Sequence, residues 1–155
     1  MAGIKEKSAY ICGPLTELSP GEQGTVKRFY EQLADVCERV TGIRAFVPHE
    51  HYDPIKNADY TPQQVDEGER KQVCDNTFLI LVVALAPSWG GGIEVEMANR
   101  SGVPVMVLCE QEKLEQRKIS RLLRGNPAVV KVIAYKDEQD AFKKLTEELK
   151  KYELR

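Results

Sequence analysis

The sequence predicts an α/β protein: a doubly wound, five-stranded parallel sheet with helices on both faces. Three observations predict it. Apolar segments of strand length alternate five times with longer segments of helical period. One of the former, "TFLILVVAL" (77–85), is a continuous apolar run rich in Val, Ile and Phe, the pattern of a central strand buried on both faces. No repeat, linker or low-complexity tract interrupts the 155 residues, so 1–155 reads as a single domain.

Each element follows from local chemistry. "SAYICG" (8–13) is a short strand ending in a glycine turn. "SPGE" (19–22) is a helix start, with Ser19 at the N-cap, Pro20 at the first helical position and Glu22 three residues past the cap. Behind it Val26, Phe29, Tyr30, Leu33, Cys37 and Val40 recur at helical spacing, and Gly42 supplies the stop. "RAFVP" (44–48) is a second strand, followed by a long polar connection over 49–60. "TPQQ" (61–64) repeats the capping pattern and opens a helix to about residue 74. After the central run, a helix is expected over 92–101, stopped by Gly102, and "PVMVLC" (104–109) is a further buried strand. "KLEQRKISRLLRG" (113–125) reads as one helix, "AVVKVIAY" (128–135) as the fifth strand, and 137–152 as a last helix with Phe142, Leu145, Leu149 and Tyr152 on one face. The arrangement is Rossmann- or flavodoxin-like, with ligands expected beyond the carboxyl ends of the strands.

Composition excludes several classes. Lys+Arg number 22 against Asp+Glu 24, a net charge of −2, which argues against a nucleic-acid polymer as partner. The longest apolar run, 78–87, is too short to span a bilayer. The first ten residues, "MAGIKEKSAY", lack the apolar run of a signal peptide, so a cytoplasmic protein is expected. Cys12, Cys37, Cys74 and Cys109 sit among apolar residues without a C-x-x-C pair and read as small core residues in a reducing compartment. No metal or other cofactor is expected.

The strand-end rule selects 13–17, 48–60, 86–92 and 109–113 as ligand-facing segments. "SWGGGIEVEMA" (88–98) stands at the end of the central run. Its three glycines either form a flexible turn or let backbone N–H groups approach an anion at a helix start. Glu96 precedes Arg100 by four residues and reads as a surface pair. Glu94 has no such partner: it either complements the dipole of the helix's first turn, which would keep it ionised, or is a functional carboxylate in the crevice. Val65, Glu69 and Val73 share one helical stripe, which places Glu69 inward, whereas Asp66 and Arg70 form an outward pair. Two carboxylates converging on one crevice are the equipment of glycosidic-bond chemistry. Tyr10 is either core or a hydroxyl held by a carboxylate. His49 and His51 are metal ligands or loop polar groups, Trp89 stacks on a base or caps apolar surface, and the basic segment with Ser120 amid it is a solvated face or a phosphate contact.

"AYICGPLT" and "PSWGGGIEVEMANRSGVPVMVL" together resemble the nucleoside 2-deoxyribosyltransferase superfamily, and within it the 2'-deoxynucleoside 5'-phosphate N-hydrolases. The pattern there is Pro-Ser, G-x-G-x-E, three residues, Ala, then Gly-x-Pro; here it is carried by Pro87, Ser88, Gly90, Gly92, Glu94, Ala98, Gly102 and Pro104, with Tyr10, Cys12 and Gly13 matching the first motif. The resemblance implies a nucleoside deoxyribosyltransferase-like domain that releases a base from a (deoxy)nucleoside 5'-monophosphate through a glycosyl-glutamate. Glu94 would be the nucleophile, Tyr10 its orienting partner and Glu69 the acid, standing where the family has Asp. Gly13, Thr16, Ser88, Gly90, Gly92 and Ser120 would contact sugar phosphate, and Trp89 or His51 the base. It also implies a homodimer or higher homo-oligomer, with Ser120 reaching a neighbour's site. Pro14 and Thr16 stand where the hydrolases carry Ser and Arg, which keeps a plain nucleoside, or a ribonucleotide as in the related CMP hydrolases, as alternative substrates. Transfer of the sugar to a second base shares the intermediate; a nucleotide-binding module without turnover, and an NAD glycohydrolase by fold analogy, are the remaining readings.

Overall fold

The structure is a computed structural model describing residues 6–153. Residues 1–5, half of the segment read for a signal peptide, and 154–155 lie outside it.

Four parallel strands form one sheet in the order β1 (Ser8–Cys12), β2 (Thr77–Val83), β3 (Val105–Glu110) and β4 (Val129–Tyr135). The fifth expected strand, 44–48, is reduced to one bridge. Phe46 pairs with Tyr10, donating its N–H to Ala9 O at 2.8 Å and accepting from the Ile11 N–H at 2.9 Å. Pro48 explains the shortfall: it has no N–H to continue a ladder, and its backbone is already helical as the N-cap of α2 (His49–Tyr52). The long polar connection therefore begins with a helical turn.

The strands alternate between two apolar clusters. Ile11, Leu79, Leu81, Val83, Met106 and Leu108 point to one, which is closed by α1 (Pro20–Thr41) and α7 (Glu138–Glu153) through residues such as Phe29, Leu33, Leu145 and Leu149. Tyr10, Cys12, Ile80, Val82, Val105 and Val107 point to the other, closed by α3 (Pro62–Asn76) and α4 (Trp89–Arg100) through Val73, Val95 and Ala98. As expected of a central strand, β2 buries Leu79, Ile80, Leu81 and Val83 completely.

Both capping boxes form. Glu22 accepts from the Ser19 N–H at 2.9 Å, and Gln64 Oε1 accepts from the Thr61 N–H at 2.8 Å. Gly42 ends α1 in the left-handed region at φ 81°, its N–H bonded to Glu38 O. Cys12, Cys37 and Cys109 are buried, Cys74 is half-buried, and all four are free thiols.

Two helices differ from expectation. The helix expected from residue 92 begins at Trp89, because the Ser88 hydroxyl caps it by accepting from the Gly91 N–H at 3.1 Å. The single helix expected over 113–125 is two short ones, α5 (Gln111–Glu115) and α6 (Arg121–Arg124). Arg117 separates them at φ 58°, and Ser120 restarts the chain as the cap of α6, accepting from the Leu123 N–H.

Candidate active site

Three elements bring the carboxylates together. β1 supplies Tyr10 and Cys12, two residues apart and so on one face of the sheet. α3 supplies Glu69 from the stripe it shares with half-buried Val65 and buried Val73. α4 supplies Glu94, only 8 % exposed. Because α4 starts three residues early, Glu94 is its sixth residue rather than part of its first turn. The expected dipole effect is therefore overturned. Burial first, and then the charge of Glu69, push Glu94 up to about 8 from the usual 4.5, although the Cys12 thiol and Tyr10 hydroxyl favour its ionised form. Burial also raises Glu69, while its contact with Glu94 works the other way. The two carboxyls thus titrate as a pair that retains one proton near neutral pH.

Tyr10 is wholly buried, and its hydroxyl makes no hydrogen bond of ordinary geometry; it lies in the field of Glu94 and, more weakly, of Glu69. Burial, then Glu94, raises both Tyr10 and Cys12 well above their usual values, so both are neutral donors beside the pair. A stack leads outward from Tyr10: Phe46 lies on it at 5.4 Å between ring centroids, and His51 lies on Phe46 at 4.3 Å. Gly13 sits where it does because a side chain there would collide with Tyr30, whose ring carbon Cζ would be 2.7 Å from the added atom, and Tyr30 in turn donates to Pro14 O at 2.7 Å.

A cavity of about 730 Å³ opens at the carboxyl ends of β1 and β2, walled also by the segment that follows β3. Of the expected substrate contacts, Gly13, Ser88, Gly92 and Ser120 line it, whereas Gly90, Thr16, Trp89 and His51 do not. Ser120 lines the cavity of its own chain. Glu94, Glu69 and Tyr10 are not in its wall either. α4 presents Gly91, Gly92, Val95 and Glu96 to the cavity and turns Glu94 toward β1 and α3. Cys12 is where the two regions meet, being part of the cavity wall and an immediate neighbour of Glu94. Cys12 belongs to the first motif of the sequence, which gives it no role of its own; the signal for one was its place two residues after Tyr10, on the same side of the strand.

The glycine run is a real first turn of α4. No protein atom lies within 4 Å of where a side chain would stand on Gly90 or Gly92, and neither has a left-handed backbone, so local geometry does not require glycine there. Gly91 is packed, with Cys12 Sγ and Ser88 at 3.4 Å from an added carbon. Gly91 and Gly92 donate to the Ser88 side chain and carbonyl, which leaves the N–H groups of Trp89 and Gly90 to other acceptors. Glu96 is exposed and pairs with Arg100 at 3.6 Å as expected; it also accepts from Asn126 at 3.2 Å, tying α4 to the turn before β4. His49 is buried with its Nε2 2.9 Å from Glu31, and among the described residues no group of three or more His, Cys, Asp or Glu is placed to hold a metal.

Solved structures share this architecture. The CMP N-glycosidase BcmB of Clostridium botulinum superposes with a TM-score of 0.64 at 19% identity, over 92% of this chain and 99% of that one. The solution structure of BlsM gives 0.65 at 18% identity, covering 95% and 91%. A conserved protein from Enterococcus faecalis V583 gives 0.62 at 17%, covering 92% and 99%. The chain has the fold of these three proteins. No family model and no curated relative matches its sequence.

Proposed function

We propose that this protein is an N-glycosidase that hydrolyses the bond between base and sugar in a nucleoside 5'-monophosphate. The observation that carries the reading is the pairing of buried Glu94 with half-buried Glu69, two carboxyls each held toward the neutral form by burial, beside a strand-end cavity. BcmB, which shares the fold, is by its name a CMP N-glycosidase.

In this reading the substrate lies across the start of α4, with its phosphate in the cavity and C1' at Glu94, the two ends meeting near Cys12. Substrate binding moves the shared proton from Glu94 to Glu69. The freed Glu94 carboxylate forms a bond to C1' as the C1'–N bond breaks, and the leaving base takes its proton from Glu69. Water, deprotonated by the Glu69 carboxylate, then attacks C1' and releases Glu94 and the sugar phosphate. The Tyr10 hydroxyl and Cys12 thiol stand beside Glu94 and favour its carboxylate once the proton leaves, turning toward it from their resting positions, in which Cys12 donates to Gly91 O at 3.7 Å. Ser88, Gly92 and Ser120 face the phosphate from the cavity wall and Gly13 borders the sugar, while Gly90, Thr16, Trp89 and His51, which stand outside that wall, are left to the parts of the substrate that project beyond it. The domain works as a homodimer, for which the exposed Trp89 and Ile93, one turn apart on α4, supply an apolar face. The free thiols suit a cytoplasmic setting.

The test is a panel of ribo- and deoxyribonucleosides and their monophosphates, assayed for free base with the wild type and with Glu94→Ala. Release by the wild type alone is expected. No base from any member at high enzyme concentration refutes the hydrolase. A second free base added to the reaction reports transfer, since it would intercept the same glycosyl-glutamate.

A further inference from the structure

The cavity holds two cations, and the structure gives them different work. Lys113 is already engaged: its Nζ donates to Leu85 O and pairs with Glu110, both at 2.7 Å, which fastens α5 to the end of β2. Lys118 also lines the cavity, is exposed, and among the described residues has no carboxylate within ion-pair distance.

The backbone around Lys118 is built to put it there. Arg117 N–H bonds Leu114 O at 3.1 Å and Lys118 N–H bonds Lys113 O at 2.9 Å, the paired bonds of a Schellman turn. Glycine normally takes the left-handed position of such a turn, but Arg117 occupies it at φ 58°. The turn reverses the chain so that Ile119 is buried as an anchor, with Lys118 before it and Ser120 after it both lining the cavity. The Ser88 cap of α4 lines the same cavity. An ammonium, two hydroxyls and the start of a twelve-residue helix then line one volume, whose one carboxylate among the described residues, Glu96, is already paired with Arg100 and Asn126, while the first loop offers only Gly13 and Pro14 to it.

We infer that Lys118, held by the left-handed turn at Arg117, is the residue that selects a phosphorylated substrate over the bare nucleoside, binding the phosphate dianion in the cavity of its own chain. The inference rests on the proposed nucleotide reading, and its ligand is a phosphate monoester.

Binding rather than turnover tests it. Titration calorimetry would use Glu94→Gln protein, so that no ligand is consumed, with a nucleoside 5'-monophosphate, the matching nucleoside and inorganic phosphate. Lys118→Met should weaken the monophosphate and inorganic phosphate by about 10-fold or more and leave the nucleoside unchanged, and Lys118→Arg should restore most of the loss. Lys113→Met should lower the melting temperature without this selective loss. Equal weakening of nucleotide and nucleoside, unchanged phosphate binding in Lys118→Met, or no binding of either phosphate by the parent protein would each overturn the inference. Selective phosphate binding alongside a failed base-release assay would sink the glycosidase reading and leave the Lys118 site standing.

Discussion

Glu94 is a carboxyl that the fold prefers neutral, and this preference is measurable without any substrate. Its folded value of about 8 exceeds the usual 4.5, so between those limits the folded chain binds more protons than the unfolded one. Stability then falls as pH rises through that window, and is fully retained only below about 4.5. At roughly 1.4 kcal/mol per unit, the loss is under about 1 kcal/mol at pH 5 and on the order of 3 kcal/mol at pH 7. Glu94→Gln keeps the shape and cannot ionise. Urea unfolding of wild type and variant at half-unit steps from pH 4.5 to 8.5 should show midpoints that start close and diverge, with the variant the more stable at alkaline pH. Glu69→Gln removes the neighbouring charge and should make the pH dependence shallower. Curves for wild type and Glu94→Gln that stay parallel across the whole range would refute the argument, because they would mean that Glu94 ionises in the folded protein as it does in water.

The same pair bears on activity. A mechanism needing one proton on two carboxyls predicts a bell-shaped profile of kcat/KM, with an alkaline limb near pH 8, whereas a flat profile from pH 6 to 10 contradicts it. Arg117→Gly relieves a left-handed arginine and should raise stability by roughly 0.5–1 kcal/mol in a urea titration; destabilisation would show that the Arg117 side chain is needed where it stands. Gly13→Ala drives a methyl into the Tyr30 ring and should cost roughly 1–3 kcal/mol, read from the thermal midpoint, while Gly90→Ala, with open space around it, should cost little stability.

What could be read from the sequence is what nearest neighbours decide. Ser19-Pro20-x-Glu22 and Thr61-Pro62-x-Gln64 contain both partners of their capping boxes, and both boxes form. The stripe of Val65, Glu69 and Val73 places Glu69 inward by helical period alone, and the spacing of Glu96 to Arg100 separates the surface glutamate from Glu94. The misread features depend on competition between distant or equivalent options. Arg117 adopts a conformation for which no glycine advertises, so the break between α5 and α6 was invisible. The Ser88 hydroxyl takes the Gly91 N–H and moves the helix start back by three residues, which carries Glu94 out of the dipole's reach and into a buried place beside Glu69. Residues 44–48 have strand-like composition, yet Pro48 turns the chain into α2 after a single bridge. Cys12 gains its place beside Glu94 only when β1 and α4 are packed together.

Trp89, the only tryptophan of the chain, is 89 % exposed at the first position of α4. Its indole is already in water in the native state, so its emission is nearly silent to unfolding and the transitions above need another probe. The same property makes it a clean optical reporter of occupancy. A blue shift at constant pH on raising protein concentration marks the burial of this helix start by a second subunit, and one on adding nucleotide at fixed dilution marks a ligand laid over it.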